Sequence, residues 1–191
     1  MKDEMPTSNN SARRSSHAFD FMNRIAVALF LSGLSTAALA MDFHPGKYPT
    51  LKLQRISQKD LMVELKGYVV VTGKIEASWE AGEDGVPLYP SYSLVLDADA
   101  AAKMPTVDDY RVTSIQILNG ADALRMFAGP DAAKSFEQRK ILRITAVGTF
   151  KLTHIGMGPE CGQLQVAAQI ESITGIAQLA LLATAAPMSF C

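Results

Sequence analysis

In the segment from Leu61 to Ile75 (LMVELKGYVVVTGKI), every odd position is apolar or glycine and the polar residues are at even positions. The polar even positions are Glu64, Lys66, Thr72 and Lys74. A repeat of two residues is the pattern of a β-strand with one buried face. A strand of this length has to curl in a small domain, and Gly67 and Gly73 suit a bend or a bulge. The pattern therefore predicts a fold built around one long, bent strand.

Four later segments repeat the alternation and predict four more strands. They are residues 91–97, 111–118, 141–152 and 163–173. Between the third and fourth strands the period changes, because Leu124 and Phe127 are three residues apart. Asp131 is placed to cap a short helix that runs through Phe136. Three strands, a helix and two strands are the order of a five-stranded OB-type barrel. We therefore predict a mainly β, OB-like barrel over residues 61–173, with a generic β-sandwich or a split α+β sheet as alternatives.

Two segments flank this predicted barrel. Residues 41–60 are predicted to cross the surface before the first strand. Residues 174–191 are apolar but too short to span a bilayer as a helix. Several of their apolar side chains lie at helical spacing, which predicts a short helix packed over the barrel, with an added strand as the alternative. Within the barrel range, residues 79–90 contain glycine and proline and are predicted to form a loop.

Residues 1–40 have the features of an export signal that is removed. An arginine precedes an apolar run over residues 25–34, and the segment closes with the small-x-small pattern Ala38-Leu39-Ala40. We predict cleavage before Met41 and a periplasmic or secreted mature chain. Translation starts either at Met1, with an unusually long leading segment, or at Met22, since a signal from Met22 is already of ordinary length.

Export bears on the two cysteines, Cys161 and Cys191. Oxidising compartments favour disulfides, so the two are predicted to pair and to clasp the apolar C-terminal segment. A loop of about 30 residues closed in this way is stabilised by roughly 3–4 kcal/mol. A reactive thiol or a metal ligand is the alternative.

The charge of the chain argues against two classes of partner. Residues 41–191 carry 14 Lys and Arg against 16 Asp and Glu. Nucleic-acid affinity depends on neutralising phosphates, which a chain with this balance does not favour. No run of basic residues suits an anionic membrane surface. The expected partner is therefore another protein of the cell envelope; the sequence does not predict the oligomeric state.

The segment VTSIQILNGADALRMFAGPDAAKSFEQRKILRITAVGTFKLTHIG resembles a pattern of small exported bacterial domains of unknown function. VELKGYVVVTGKI is similar to their opening strand, and the resemblance covers roughly residues 61–173. It implies an exported OB-like fold and no established activity. That family has a histidine-rich turn between its last two strands, of which only His154 is present here.

Three aromatic residues flank the predicted loop between the first two strands: Trp79, Tyr89 and Tyr92. In OB-type barrels this region commonly binds ligands, and Trp and Tyr are frequent anchors of protein interfaces. The three are therefore the predicted binding residues, and Trp79→Ala is expected to leave folding intact while removing partner capture. In the alternative, Tyr92 belongs to the core and Trp79 covers one end of the barrel.

No set of residues in the sequence predicts catalysis. His154, Glu160 and Cys161 could form a small-molecule or metal site in the turn before the last strand, which is the alternative function. No cofactor is predicted. The leading hypothesis is a non-enzymatic exported binding domain, either an inhibitor, an effector-neutralising protein or an envelope accessory factor.

Overall fold

A computed structural model describes residues 42–57, 59, 61–81, 86–108, 110–160, 163–184 and 186–187. These residues form nine strands and three short helices. The strands are β1 Phe43–His44, β2 Leu51–Ser57, β3 Met62–Ala81, β4 Pro87–Leu96, β5 Thr106–Val107, β6 Ser114–Ile117, β7 Arg143–Glu160, β8 Gln163–Leu182 and β9 Ala186–Pro187. The helices are α1 Ala98–Ala101, α2 Gly120–Ala128 and α3 Pro130–Glu137. The predicted mainly β fold is confirmed.

The long strand β3 is the centre of the sheet, as the alternation predicts. It pairs antiparallel with β2, β4 and β7, and in parallel with β9 at its end. Its odd-numbered side chains face the core, including Val63, Val71 and Ile75. The register with β7 shifts between Leu65 and Tyr68, where Gly67 has a φ of 111° that favours glycine. Gly67 therefore provides the bulge, whereas the register passes through Gly73 without a shift.

Five of the strands close a ring in the order β3, β4, β6, β8, β7 and back to β3. Each pairing in this ring is antiparallel except that of β6 with β8, where Gln116 pairs with Ala167 and Ile117 with Ala168. β2 extends the sheet from β3 outside the ring. The small pair β1 and β5 forms a separate two-stranded sheet.

One cluster of buried apolar side chains joins the ring strands to α2 and α3. Its strand members include Val69, Ile75, Leu94, Ile115, Ile144, Phe150 and Ile170, and its helix members include Leu124, Phe127, Ala133 and Phe136. Full burial of a large apolar side chain stabilises a fold by about 1.5–3 kcal/mol, so this cluster is the main stabilising element of the described chain.

The predicted single helix is two helices, α2 and α3. Gly129, with a φ of 82°, lies between them and is the N-cap of α3, and Pro130 is the first residue of that helix. Asp131 therefore lies in the first turn of α3 and does not cap it. The stretch after β4 includes α1, whose N-cap Asp97 accepts a hydrogen bond of 2.7 Å from the Ala100 N–H.

Other boundaries also differ from the prediction. Residues 41–60 do not merely cross the surface, because β2 pairs with the first half of β3. The predicted loop over residues 79–90 is narrower, since β3 continues to Ala81 and β4 begins at Pro87. The helix predicted after residue 174 is wrong, because β8 continues through this segment to Leu182 and pairs with β7.

Candidate functional site

Trp79, the first of the predicted binding residues, belongs to the core. Its side chain is 8% exposed, and its indole Nε1–H donates a hydrogen bond of 2.9 Å to the Phe136 carbonyl oxygen. The Trp79 and Phe136 ring centroids are 5.8 Å apart, and the Arg139 guanidinium lies 4.4 Å from the indole centroid. The prediction of Trp79 as an exposed binding anchor is therefore wrong, because α3 and Arg139 cover the ring.

Tyr92 is also engaged in packing. It is half-buried, and its ring centroid lies 6.1 Å from that of Phe136. Burial raises the pKa of Tyr92; the Glu137 carboxylate raises it further, while Arg125 lowers it. The alternative interpretation of Tyr92, as a residue that packs against the core, therefore agrees better with its surroundings.

Tyr89 is the one member of the trio at the surface, with 46% of its area exposed. It lies directly opposite Glu80 on the β3–β4 ladder. A hydrogen bond to the Glu80 carboxylate raises the pKa of Tyr89, with smaller contributions from burial and from the Glu80 charge. The three aromatic residues thus lie at one end of the β3–β4 hairpin, but they do not form one binding surface.

His154 is exposed, with Nδ1 3.2 Å from the Thr153 hydroxyl oxygen. The Glu160 side chain and Cys161 lie outside the described part of the structure. Among the residues that are described, no group of three or more His, Cys, Asp and Glu is arranged to hold a metal ion. The metal or small-molecule site around this turn stays a prediction.

Both cysteines lie outside the described residues, so the disulfide between Cys161 and Cys191 also stays a prediction.

The C-terminal half of β8 exposes four large apolar side chains that the sequence prediction missed. They are Ile176, Leu179, Leu181 and Leu182, which are 36–49% exposed, and we call them the β8 patch. Leu181 pairs with buried Ile144 and Leu182 with Arg143, so the patch includes both faces of the strand. The signal in the sequence was the uncharged run from Ser172 to Pro187.

Two bulges shape this half of β8. Thr145, Val147 and Thr149 of β7 are two residues apart, whereas their β8 partners Ala180, Ala177 and Thr174 are three residues apart. Each of these two intervals therefore contains one extra residue of β8. Gly175 and Gln178, with φ of 62° and 53°, lie within the two intervals. Bulges bend an edge strand and hinder its pairing with another sheet. The β8 patch is therefore suited to contact through side chains rather than through strand addition.

β8 separates from β6 before the β8 patch begins, and Asn119 marks the point of separation. The Asn119 side-chain Nδ2 donates to the Ile170 carbonyl oxygen, and the Ile170 N–H donates to Oδ1, both at 2.8 Å. The side-chain amide of Asn119 thus makes the two hydrogen bonds to β8 that the next peptide group of β6 would make if that strand continued. Asn119 precedes α2 but makes no side-chain capping bond to it, because its amide is engaged with β8.

Other surface features give weaker candidates. A cleft lined by Phe43, Pro45, Gly46, Tyr48, Leu51, Leu53, Leu65 and Pro105 encloses about 20 Å³, which is room for about one water molecule. No helix among the described residues is long and apolar enough to cross a membrane.

Ionisation of the tyrosines predicts a loss of stability at alkaline pH. The pKa values of Tyr48, Tyr89 and Tyr92 are all raised in the folded chain. A group whose pKa is higher when folded contributes stability that is complete below its unfolded pKa, about 10 for tyrosine, and lost as the pH rises through its folded pKa. We expect urea unfolding to show a fall in stability as the pH rises above about 10, the unfolded pKa of tyrosine, and a smaller fall in Tyr92→Phe. An equal fall in both proteins would show that Tyr92 titrates as it does in the unfolded chain.

Comparison of the chain with protein-family models, with curated proteins and with solved structures finds no match. The resemblance to small exported OB-like domains therefore stays a prediction.

Proposed function

We propose that the ring of strands is an OB-like barrel. Numbered along the chain, its strands follow the order 1-2-3-5-4-1, and α2 and α3 lie between the third and the fourth. The third and fifth strands pair in parallel, and the first strand bends at Gly67 to pair in both of its halves. These are the connections expected of a five-stranded Greek-key barrel with a helix before its fourth strand.

We propose further that the protein is an exported, non-enzymatic binding domain that recognises another protein of the cell envelope. The observation that supports this function is the β8 patch, because large apolar side chains grouped on one strand are a feature of protein contact sites. The run from Ser172 to Pro187 has no charged residue. A partner with an apolar surface suits it better than a nucleic acid, whose affinity rests on phosphate contacts.

The bulges specify the form of this contact. Because β8 is bent at Gly175 and Gln178, a partner strand has little straight edge on which to pair. Recognition is therefore by insertion of Leu179 and Leu181 into an apolar recess of the partner. Exposed Tyr89 lies at the same end of β3 as Leu182. Tyr89 pairs with Glu80 of β3. Leu182 pairs with Arg143, which in turn pairs with Ser78 of β3, two residues from Glu80.

The test replaces Leu179 and Leu181 together by serine. Both side chains are exposed, so we expect stability within about 0.5 kcal/mol per site of the parent protein and loss of capture of the envelope partner. The matched control uses Val70 and Val95, which are exposed to a similar extent on other strands. Replacing both by serine is expected to leave capture of the partner unchanged.

Two outcomes would contradict the proposal. Equal loss of capture in the Val70 and Val95 control would show non-specific adhesion of apolar surface. A photo-crosslinker at position 179 that joins two copies of the purified chain would make a second copy, rather than another protein, the occupant of the patch.

A further inference from the structure

Two independent packing requirements meet at the dipeptide Asn119–Gly120. The first is the pair of 2.8 Å hydrogen bonds between the Asn119 amide and the Ile170 backbone, which needs a side chain with both a donor and an acceptor. The second is the contact of Gly120 with Tyr92, since a Cβ at position 120 would lie 2.1 Å from the Tyr92 Cγ. The fold thus requires asparagine followed by glycine.

Asparagine followed by glycine is a chemically reactive pair. The backbone nitrogen of the glycine attacks the side-chain carbonyl carbon of the asparagine, forming a C–N bond and a five-membered succinimide. The bond from that carbon to Nδ2 breaks, and the nitrogen leaves as ammonia after taking up a proton that balances the one lost from the glycine nitrogen. Water then opens the ring to aspartate or isoaspartate. Glycine permits this attack because it has no side chain to hinder its nitrogen or to restrict its backbone.

We propose that Asn119–Gly120 is a deamidation site whose reaction is controlled by folding. In the folded chain the attack is hindered, because both polar atoms of the Asn119 amide are held by Ile170 and Gly120 is buried. When the start of α2 separates from β8, the amide is released and the reaction proceeds. Opening of this kind requires only local unfolding.

The product cannot restore the native contact. An aspartate at position 119 can still accept a hydrogen bond from the Ile170 N–H, but at neutral pH it has no proton to donate to the Ile170 carbonyl oxygen. Isoaspartate also adds a backbone atom at the start of α2. Each opening that ends in deamidation therefore yields a chain in which β8 is less firmly attached to the end of β6.

The sequence makes the reaction easy to follow. Asn119 is the only asparagine in residues 41–191. Trypsin cleaves after Arg111 and Arg125 and releases the peptide Val112–Arg125, which contains the dipeptide. Replacement of –NH₂ by –OH increases the mass of this peptide, and the isoaspartate form separates from the aspartate form by chromatography.

The experiment incubates the protein at mildly alkaline pH in buffer and in urea, with the synthetic peptide Val112–Arg125 as the unfolded reference. We expect deamidation in buffer to be at least about tenfold slower than in urea or in the peptide. A control sample is kept in urea at a lower pH, which suppresses deamidation, and the urea is then removed from both samples. We expect the deamidated chains to have a lower unfolding midpoint than the control chains. Equal rates in buffer and urea, or an unchanged midpoint after deamidation, would overturn the proposal.

Discussion

Trp79→Ala is expected to destabilise the protein by about 3–5 kcal/mol, the range for removing a large buried aromatic side chain. The loss has three sources: the cavity beside Phe136, the Phe136 carbonyl oxygen that loses its donor, and the contact with Arg139. Because the free energy of unfolding of a small domain is only about 5–15 kcal/mol, this substitution removes a large part of it. Urea unfolding followed by far-UV circular dichroism measures it.

Trp79→Phe is the matched control, since it keeps an aromatic ring beside Phe136 but has no N–H donor. The unsatisfied Phe136 carbonyl is expected to cost about 1–3 kcal/mol, so this variant folds and gives a measurable midpoint between those of the parent and the alanine variant. Trp79 is the only tryptophan in the chain, so its fluorescence reports directly on its burial. Free access of a soluble quencher to the native indole, or unchanged stability of Trp79→Ala, would contradict the core assignment.

The order of strands and helices could be predicted because burial of one strand face imposes a period of two. The ends of strands were less predictable. β3 was expected to end at Ile75, yet Ala77 and Trp79 continue the buried odd positions up to the hairpin. Small residues and a glycine-rich loop hid this continuation, whereas pairing with β4 and β7 maintains the strand.

In the C-terminal half of β8, the apolar residues are spaced as in a helix, yet the segment is a strand. Ile176, Leu179 and Ala180 are three and four residues apart, as in a helix. The two bulges insert an extra residue each and so change the face on which later side chains lie. A strand with a bulge every three residues therefore imitates helical spacing, and only its partner β7 distinguishes the two.

The prediction of an exposed Trp79 was wrong for a different reason. Whether Trp79 is exposed depends on Phe136, which is 57 positions later in the chain and belongs to another element. The period of two places Trp79 on the buried face of β3 but does not identify the residue that covers it. Tyr89 was predicted at the surface and lies there, because it is on the face of β4 opposite to that of buried Leu94.

Asn119→Ala is expected to destabilise the protein by about 2–4 kcal/mol, although the side chain is small and only half-buried. The variant leaves the N–H and the carbonyl of Ile170 without partners, and Ile170 is 2% exposed. Each buried backbone group left unpaired costs about 1–3 kcal/mol. Because the two bonds join β8 to the start of α2, hydrogen exchange is expected to accelerate in residues 120–128 and 169–172 more than in β3.

Asn119→Asp distinguishes loss of the hydrogen bonds from loss of packing, since aspartate has almost the same shape as asparagine. At neutral pH its carboxylate faces the Ile170 carbonyl oxygen and cannot donate to it, so the variant is expected to be at least as unstable as Asn119→Ala. This repulsion raises the pKa of the carboxyl introduced at position 119 in the folded variant above its unfolded value of about 3.9. The protonated carboxyl therefore stabilises the fold below that pH, and this stabilisation is lost as the pH rises through the folded pKa. Relative to Asn119→Ala at the same pH, Asn119→Asp should therefore recover stability near about pH 4. Equal stability of the two variants at every pH would show that the Ile170 carbonyl does not depend on a donor at position 119.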